Sequence, residues 1–407
     1  MKIPILNFNA LVVGLYLFFP IVFPNSFRGY SVSLFVALGL YFLFLSDGIL
    51  NKTLLSIYYS GLIVSFFYIF VGSIRGEGLA FESLVFVYMI APLLWLTIWS
   101  KLLLTVSIEK ILILLLIYGF FGSVTVVLFF YFFNIFGGDT LTWLIAEPNV
   151  QFNEDGIGAT MHVYGSLIFI AGGFFAAPNI VLNKSVRFIL FAIFFSVALV
   201  SGRSALVLSL FSGFFINLLN QNKYNFLKWL KIFYLATALI LILLIIYNLN
   251  EIDIKGFGVN IFSIFADFFI KVFQGGGDER VLQSKYLVDG ILDTYFLGAG
   301  HGIGVPYVRN DINPWRYELL WLATFYRVGL IGFLIYSIPF YYIYKSYRCL
   351  GLANVRNGSD IFVYGGFVAI LIASATNPYL ESFDFQWMVV FPGVYFYYRF
   401  KSLHNIK

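Results

Sequence analysis

Residues 188–219 read FILFAIFFSVALVSGRSALVLSLFSGFFINLL, an apolar stretch in which Arg203 is the only charged residue. One α-helix over that range would be about 48 Å long at ~1.5 Å per residue, against a bilayer core of about 30 Å. Two short membrane spans meeting at Ser201-Gly202-Arg203 fit the bilayer better. Working outward, and taking roughly 20 apolar residues per crossing, further spans fall near 5–23, 30–46, 53–74, 83–99, 111–136 and 157–177 towards the N-terminus. Towards the C-terminus they fall near 232–249, 317–344, 360–378 and 385–399. With 188–202 and 204–219 the count is 12, and 11 is the nearest alternative.

The composition demands a membrane. Of 407 residues, 61% are hydrophobic and 11% are charged, whereas a soluble chain carries about 25% charged residues. The 21% of aromatic residues suits lipid-facing surfaces and interfacial belts. A single cysteine, Cys349, excludes an internal disulfide framework, and no Cys/His cluster has metal-ligand spacing. Neither a metal nor another cofactor is expected, and nucleic acid is not an expected partner. The run Ile5 to Phe23 lacks a small-residue cleavage site and reads as a retained first helix. The expected fold is therefore all-α: a polytopic integral membrane protein of about 12 transmembrane helices, forming a single domain over 1–407.

Charge orients it. With two spans over 188–219, the loops alternate under the positive-inside rule. The cytoplasmic side then holds 15 of the 25 Lys and Arg and 3 of the 20 Asp and Glu, leaving 10 basic and 17 acidic residues outside. Both termini are expected in the cytoplasm. Two outward loops are long, Gly137 to Gly156 and Asn250 to Arg316; the second, the large periplasmic loop 250–316, carries an amphipathic stretch from Val259 to Phe273 suited to lying in the interface.

The polar residues that interrupt this apolar chain are the candidates for chemistry. Arg203 sits at the outer mouth between two spans, beside Ser201, Gly202 and Ser204, either as a snorkelling helix stop or as a fork for a bulky anion such as a diphosphate. Arg280 follows Gly275-Gly276-Gly277-Asp278-Glu279 and precedes a helical segment, Val281 to Phe296. That places it near a helix N-terminus, where anions are favoured, unless it is a solvated arginine paired with Asp278 or Glu279. The run Phe296-Leu297-Gly298-Ala299-Gly300-His301-Gly302-Ile303-Gly304 permits positive φ and close backbone approach to a ligand at Gly300 and Gly302. It follows no strand, so it is not a dinucleotide fingerprint. His301 is either a base or a histidine bonded to backbone.

Glu318 falls at the outer end of a span, where a partly desolvated carboxylate can act as a general base or remain a plain interfacial acid. Trp315, Arg316 and Tyr317 stand beside it as a possible sugar-binding surface. Arg327 lies nine residues further along, about 13 Å deeper on a helical rise, and must face a wet or anionic cavity.

From residue 199 to 335 the chain resembles the O-antigen polymerase and ligase superfamily of bacterial cell envelopes. The resemblance rests on the Ser-Gly-Arg at Arg203, Arg280 at the start of a loop helix, the glycines at 298–304 and Gly329-Leu330-Ile331-Gly332. It implies a metal-independent, multi-helix glycosyltransferase of the bacterial inner membrane that takes glycan units from undecaprenyl diphosphate at the periplasmic face. In that case Arg203 and Arg280 bind the diphosphate, with Arg327 deeper in the same site. The partners implied are the undecaprenyl-diphosphate-linked oligosaccharide, membrane lipid and a chain-length regulator protein. Ligase relatives carry a histidine eleven residues before the first glycine of the closing motif, where this chain has Glu318. The departure favours the polymerase branch (Wzy), with Glu318 the first choice of catalytic base and His301 the second; a ligase and a lipid-linked oligosaccharide flippase are the alternatives.

Overall fold

The computed structural model describes residues 8–23, 28–45, 52–76, 80–136, 150–152, 159–161, 165–200, 204–220, 277–309 and 313–404. In lipid a backbone N–H finds no water, so an apolar segment satisfies itself as helix, and these residues are overwhelmingly helical. The order is α1 (Phe8–Val22), α2 (Arg28–Leu45), α3 (Lys52–Arg75), α4 (Phe81–Val85), α5 (Ala91–Thr105), α6 (Ile108–Phe136), α7 (Gly165–Ala176), α8 (Lys184–Val200) and α9 (Ser204–Asn220). After these come α10 (Gly277–Asp293), α11 (Leu320–Tyr336), α12 (Ile338–Leu352), α13 (Gly358–Ala373) and α14 (Trp387–His404). A two-stranded antiparallel ribbon, β1 (Val150–Phe152) and β2 (Ala159–Met161), is the one β element among the described residues.

Four helical stretches among the described residues are long and apolar enough to cross a membrane: Leu54–Arg75, Phe81–Thr105, Ile108–Leu128 and Leu320–Leu352. Shorter apolar helices include Leu11–Val22, Gly29–Phe44, Gly165–Ala176, Ala205–Asn220 and Gly358–Ala373. Large apolar side chains such as Phe44, Phe66, Phe70, Phe188 and Ile331 are exposed on the outside, which water would penalise and lipid would not. This is the architecture of a helical membrane protein.

Several expected spans change shape. The expected span at 232–249 and residues 250–276 of the expected loop 250–316, with its amphipathic stretch 259–273, lie outside the described residues. Separate helices α8 and α9 flank residues 201–203, themselves outside the described residues. The span expected from 157 is described as helix from Gly165, and Ala159–Met161 pairs instead with Val150–Phe152. The span expected over 317–344 is two helices, α11 and α12, and α11 is itself broken at Gly329.

At the centre, α7, α9 and α13 pack backbone to backbone. A Cβ on Gly172 would overlap Ala369, one on Gly213 would overlap the Gly172 carbonyl, and one on Gly365 would overlap Ala176. Small residues at such contacts let helices approach closely where lipid offers no hydrophobic drive to associate. Trp321 Nε1 of α11 donates to Leu371 O of α13 at 3.3 Å, and α5, α11 and the turn after α13 carry the site.

Candidate functional site

The site begins with a helix that stops being a helix. Gly329, inside α11, has φ 64° and ψ −174°, a conformation essentially reserved for glycine. Such a break orphans backbone groups that lipid cannot satisfy. The glycine loop 296–300 satisfies them: Ala299 N–H donates to Tyr326 O, Gly300 N–H to Arg327 O and Leu330 N–H to Phe296 O, each at 2.9 Å. Gly298 and Gly300 have positive φ, and Gly300 packs against the backbone of α3 at Gly72. The Gly300 amide, expected to approach a ligand, is thus spent on the broken helix. Gly302, also at positive φ, lines a small cavity instead.

Arg327 lies two residues before the break. The residue is 1% exposed, and its guanidinium donates to the Glu381 carboxylate, to the Trp315 carbonyl and, at 3.2 Å, to the Tyr88 hydroxyl. Tyr88 sits on a π-turn, Phe86–Ile90, between α4 and α5. Pro92 follows it, and a proline ring clashes with the carbonyl four residues back, which here is that of Tyr88; the widened turn relieves the clash. Glu381 comes from a non-helical turn after α13, two short 3-10 segments at Tyr379–Glu381 and Phe383–Phe385. Trp95 Nε1 donates to Phe383 O at 2.7 Å and Gln386 Nε2 to Val87 O at 2.8 Å, which pins that turn to α5 and the π-turn. Arg316 Nε lies 3.8 Å from the second Glu381 oxygen.

A second carboxylate repeats the pattern nearer the surface. Glu318 receives Arg280 Nε at 2.6 Å on one oxygen and Arg309 Nη2 at 2.7 Å on the other. Its backbone N–H donates to Gln283 Oε1 at 3.0 Å, docking α10 on the start of α11. Each carboxylate is therefore bracketed by two guanidiniums, four cations to two anions, joined through the segment 315–318. The three outer arginines, 280, 309 and 316, are a quarter to a third exposed. Such a local excess of forked cations, three of them partly exposed, has the chemistry to hold an anion with several oxygens, such as a phosphate or diphosphate.

His301 lies between two cavities. Its ring packs on Tyr88 with centroids 4.1 Å apart and planes tilted by 33°, and its Nε2 is 3.1 Å from the Tyr336 hydroxyl. Burial pushes its imidazole pKa well below the ordinary value, and the nearby Arg327 charge pushes it the same way, so the ring is neutral at pH 7. On one side is an apolar groove of about 480 Å³ lined by Leu62, Tyr88, Trp321, Tyr336, Phe340 and Glu381, among others. On the other is a cavity of about 220 Å³ lined by His301, Gly302, Gly72, Pro314 and Trp315, among others.

Arg280, Arg327, Glu318, His301, Trp315 and Arg316 converge on this region, and Arg203 lies outside the described residues. Tyr317, expected to offer a ring to a sugar, is fully buried and accepts the Val305 N–H at 2.7 Å; it shapes the loop. Sequence reasoning missed Glu381, Arg309, Tyr88 and Tyr336. A buried arginine demands a counter-carboxylate, which was a signal for Glu381; nothing in the sequence marks Tyr88 beyond its neighbouring proline. No protein-family model matches the chain, and no curated protein matches it.

Proposed function

We propose that the chain is a membrane glycosyltransferase that polymerises lipid-linked oligosaccharide repeat units, moving a growing glycan from its undecaprenyl diphosphate onto the next repeat unit at the periplasmic face. The observation that carries this reading is the four-guanidinium, two-carboxylate cluster, whose Glu381 also lines the apolar groove. It pairs a surface for a lipid chain with one for a diphosphate, and a neutral imidazole stands beside a second cavity.

In the proposed reaction an acceptor hydroxyl oxygen forms a bond to the anomeric carbon, and the bond from that carbon to the diphosphate oxygen breaks. The lipid diphosphate leaves with the electron pair. Arginines held in place before the reaction stabilise the charge that grows on the leaving phosphate, and Arg203 would join them. The acceptor proton goes to a base. His301 suits that part better than Glu318, whose two oxygens are both engaged by guanidinium donors. Trp315 at the smaller cavity offers an indole face for a sugar ring.

The proposal keeps 12 spans, an outward loop at 250–316 and both termini inside. With Cys349 replaced by serine, a cysteine at the exposed Glu279 is expected to react with an impermeant thiol reagent from the periplasm, and one at Ser402 is not; the reverse pattern removes the proposed face. The broken helix at Gly329 favours a second reading, since transporters also place discontinuous helices at their sites. Polymer formation by purified protein in detergent separates the two, because transport needs a sealed bilayer and polymerisation does not.

A further inference from the structure

The inference deepens the proposed function and rests on it. His301 carries two ring nitrogens in unequal surroundings. Nε2 meets the Tyr336 hydroxyl, whereas Nδ1 is buried with no hydrogen-bond partner among the described residues. Which nitrogen holds the proton follows from the groups beyond Tyr336. Ser65 Oγ donates to the Gly61 carbonyl at 2.9 Å, one helical turn back in α3. A hydroxyl has one proton, so Ser65 must accept in its 2.8 Å contact with the Tyr336 hydroxyl. Tyr336 is then the donor there, and its oxygen must accept from His301. The proton sits on Nε2, and Nδ1 keeps its lone pair.

We infer that Ser65 and Tyr336 are positioning residues that hold His301 as the Nε2–H tautomer, leaving the buried Nδ1 lone pair to accept a saccharide hydroxyl that enters by way of the 220 Å³ cavity the residue lines. A buried acceptor without a donor is costly, and a hydroxyl from an acceptor sugar supplies the donor. The cavity has room for about seven water volumes at ~30 Å³ each. Its lining suits one pyranose: the Trp315 ring, the Ser73 hydroxyl and the bare backbone of Gly72, Gly76 and Gly302. The chain of donors runs from α11 across to α3, so the tautomer is tied to the packing of the two helices that also wall the apolar groove. When the acceptor oxygen attacks, its proton moves to Nδ1, and Tyr336 continues to accept from Nε2–H, now part of an imidazolium.

The test is ¹⁵N NMR of detergent-solubilised protein labelled at histidine, with the His301 signals assigned by their loss in His301→Gln. The expected wild-type spectrum has Nδ1 unprotonated and Nε2 protonated. Tyr336→Phe is expected to shift His301 towards a mixture of tautomers and to lower kcat for polymer formation roughly tenfold with KM little changed; Ser65→Ala is expected to do the same more weakly. A protonated Nδ1 in wild type, or an unchanged His301 spectrum in Tyr336→Phe, overturns the relay even if the protein makes polymer. A wild type with the expected spectrum that makes no polymer overturns the saccharide assignment and the polymerase reading together, while the tautomer assignment stands.

Discussion

Arg327, midway along α11, and Glu381, 54 residues later in a non-helical turn, form a buried ion pair, with the two side chains 2% and 5% exposed. Removing one partner of such a pair leaves an uncompensated charge in a water-poor site. Glu381→Ala is therefore expected to destabilise the protein by about 3–5 kcal/mol, with Glu381→Gln milder because it keeps a hydrogen-bond acceptor. Replacing both residues by methionine is expected to recover part of the loss. Thermal unfolding in detergent reads all three, and a wild-type midpoint in Glu381→Ala would mean that the pair does not hold α11 to this turn.

Glu318 is tied to Arg280 and Arg309, which makes it a positioning carboxylate for two of the anion-binding arginines. Glu318→Gln is expected to lower polymer formation by about tenfold, the lower end of what one charge-assisted hydrogen bond is worth, mainly as a rise in KM for the lipid-linked substrate. A fall of about 10²-fold or more in kcat, the scale of a lost general base, would restore Glu318 to that role and displace His301 from it.

How far the sequence reached depends on the range of the interaction. Arg280 falls in the first turn of α10, and that was legible from local signals: glycines before it and helical spacing after it. Arg327 had to face something polar because of its depth in an apolar span. Its partner was not legible, since Glu381 lies in the short gap between two apolar runs, where hydropathy sees only a loop. The break at Gly329 was hidden for a related reason: one glycine in an apolar run lowers hydropathy little, and only the amides and carbonyls of residues 296–300 make the break affordable. Those same glycines looked like a ligand cradle because the need for positive φ is identical whether the backbone meets a phosphate or a broken helix.

Gly329 itself is directly testable. At φ 64° a side chain is strained, and a Cβ there would overlap the Phe296 carbonyl. Gly329→Ala is expected to cost about 1–3 kcal/mol from backbone strain alone and to lower the melting temperature in detergent. Gly29→Ala, where a Cβ meets nothing within 4 Å, is the matched control. Equal melting of the two variants would show that α11 runs unbroken.

Stability should also depend on His301. Burial and Arg327 hold its pKa well below the ordinary 6.5, so below about pH 6.5 the unfolded chain binds a proton that the folded one does not. Stability contributed at neutral pH is then lost progressively as pH falls. His301→Asn cannot bind that proton, and its melting temperature is expected to fall less than that of wild type between about pH 7 and pH 5. Parallel curves would place His301 in a hydrated site.

The central claim is the chemistry at the arginine-rich cluster, and one measurement reaches it most directly: purified protein in detergent is given lipid-linked oligosaccharide repeat units, and the products are separated by size. A ladder of polymer and release of the lipid diphosphate are expected. His301→Asn is expected to lower the rate by about 10²-fold or more, and Arg280→Lys is expected to weaken it because lysine cannot make the forked contact. A wild type that makes no polymer in detergent yet moves the same lipid-linked units across a sealed vesicle membrane would contradict the account and make the cluster a transport site.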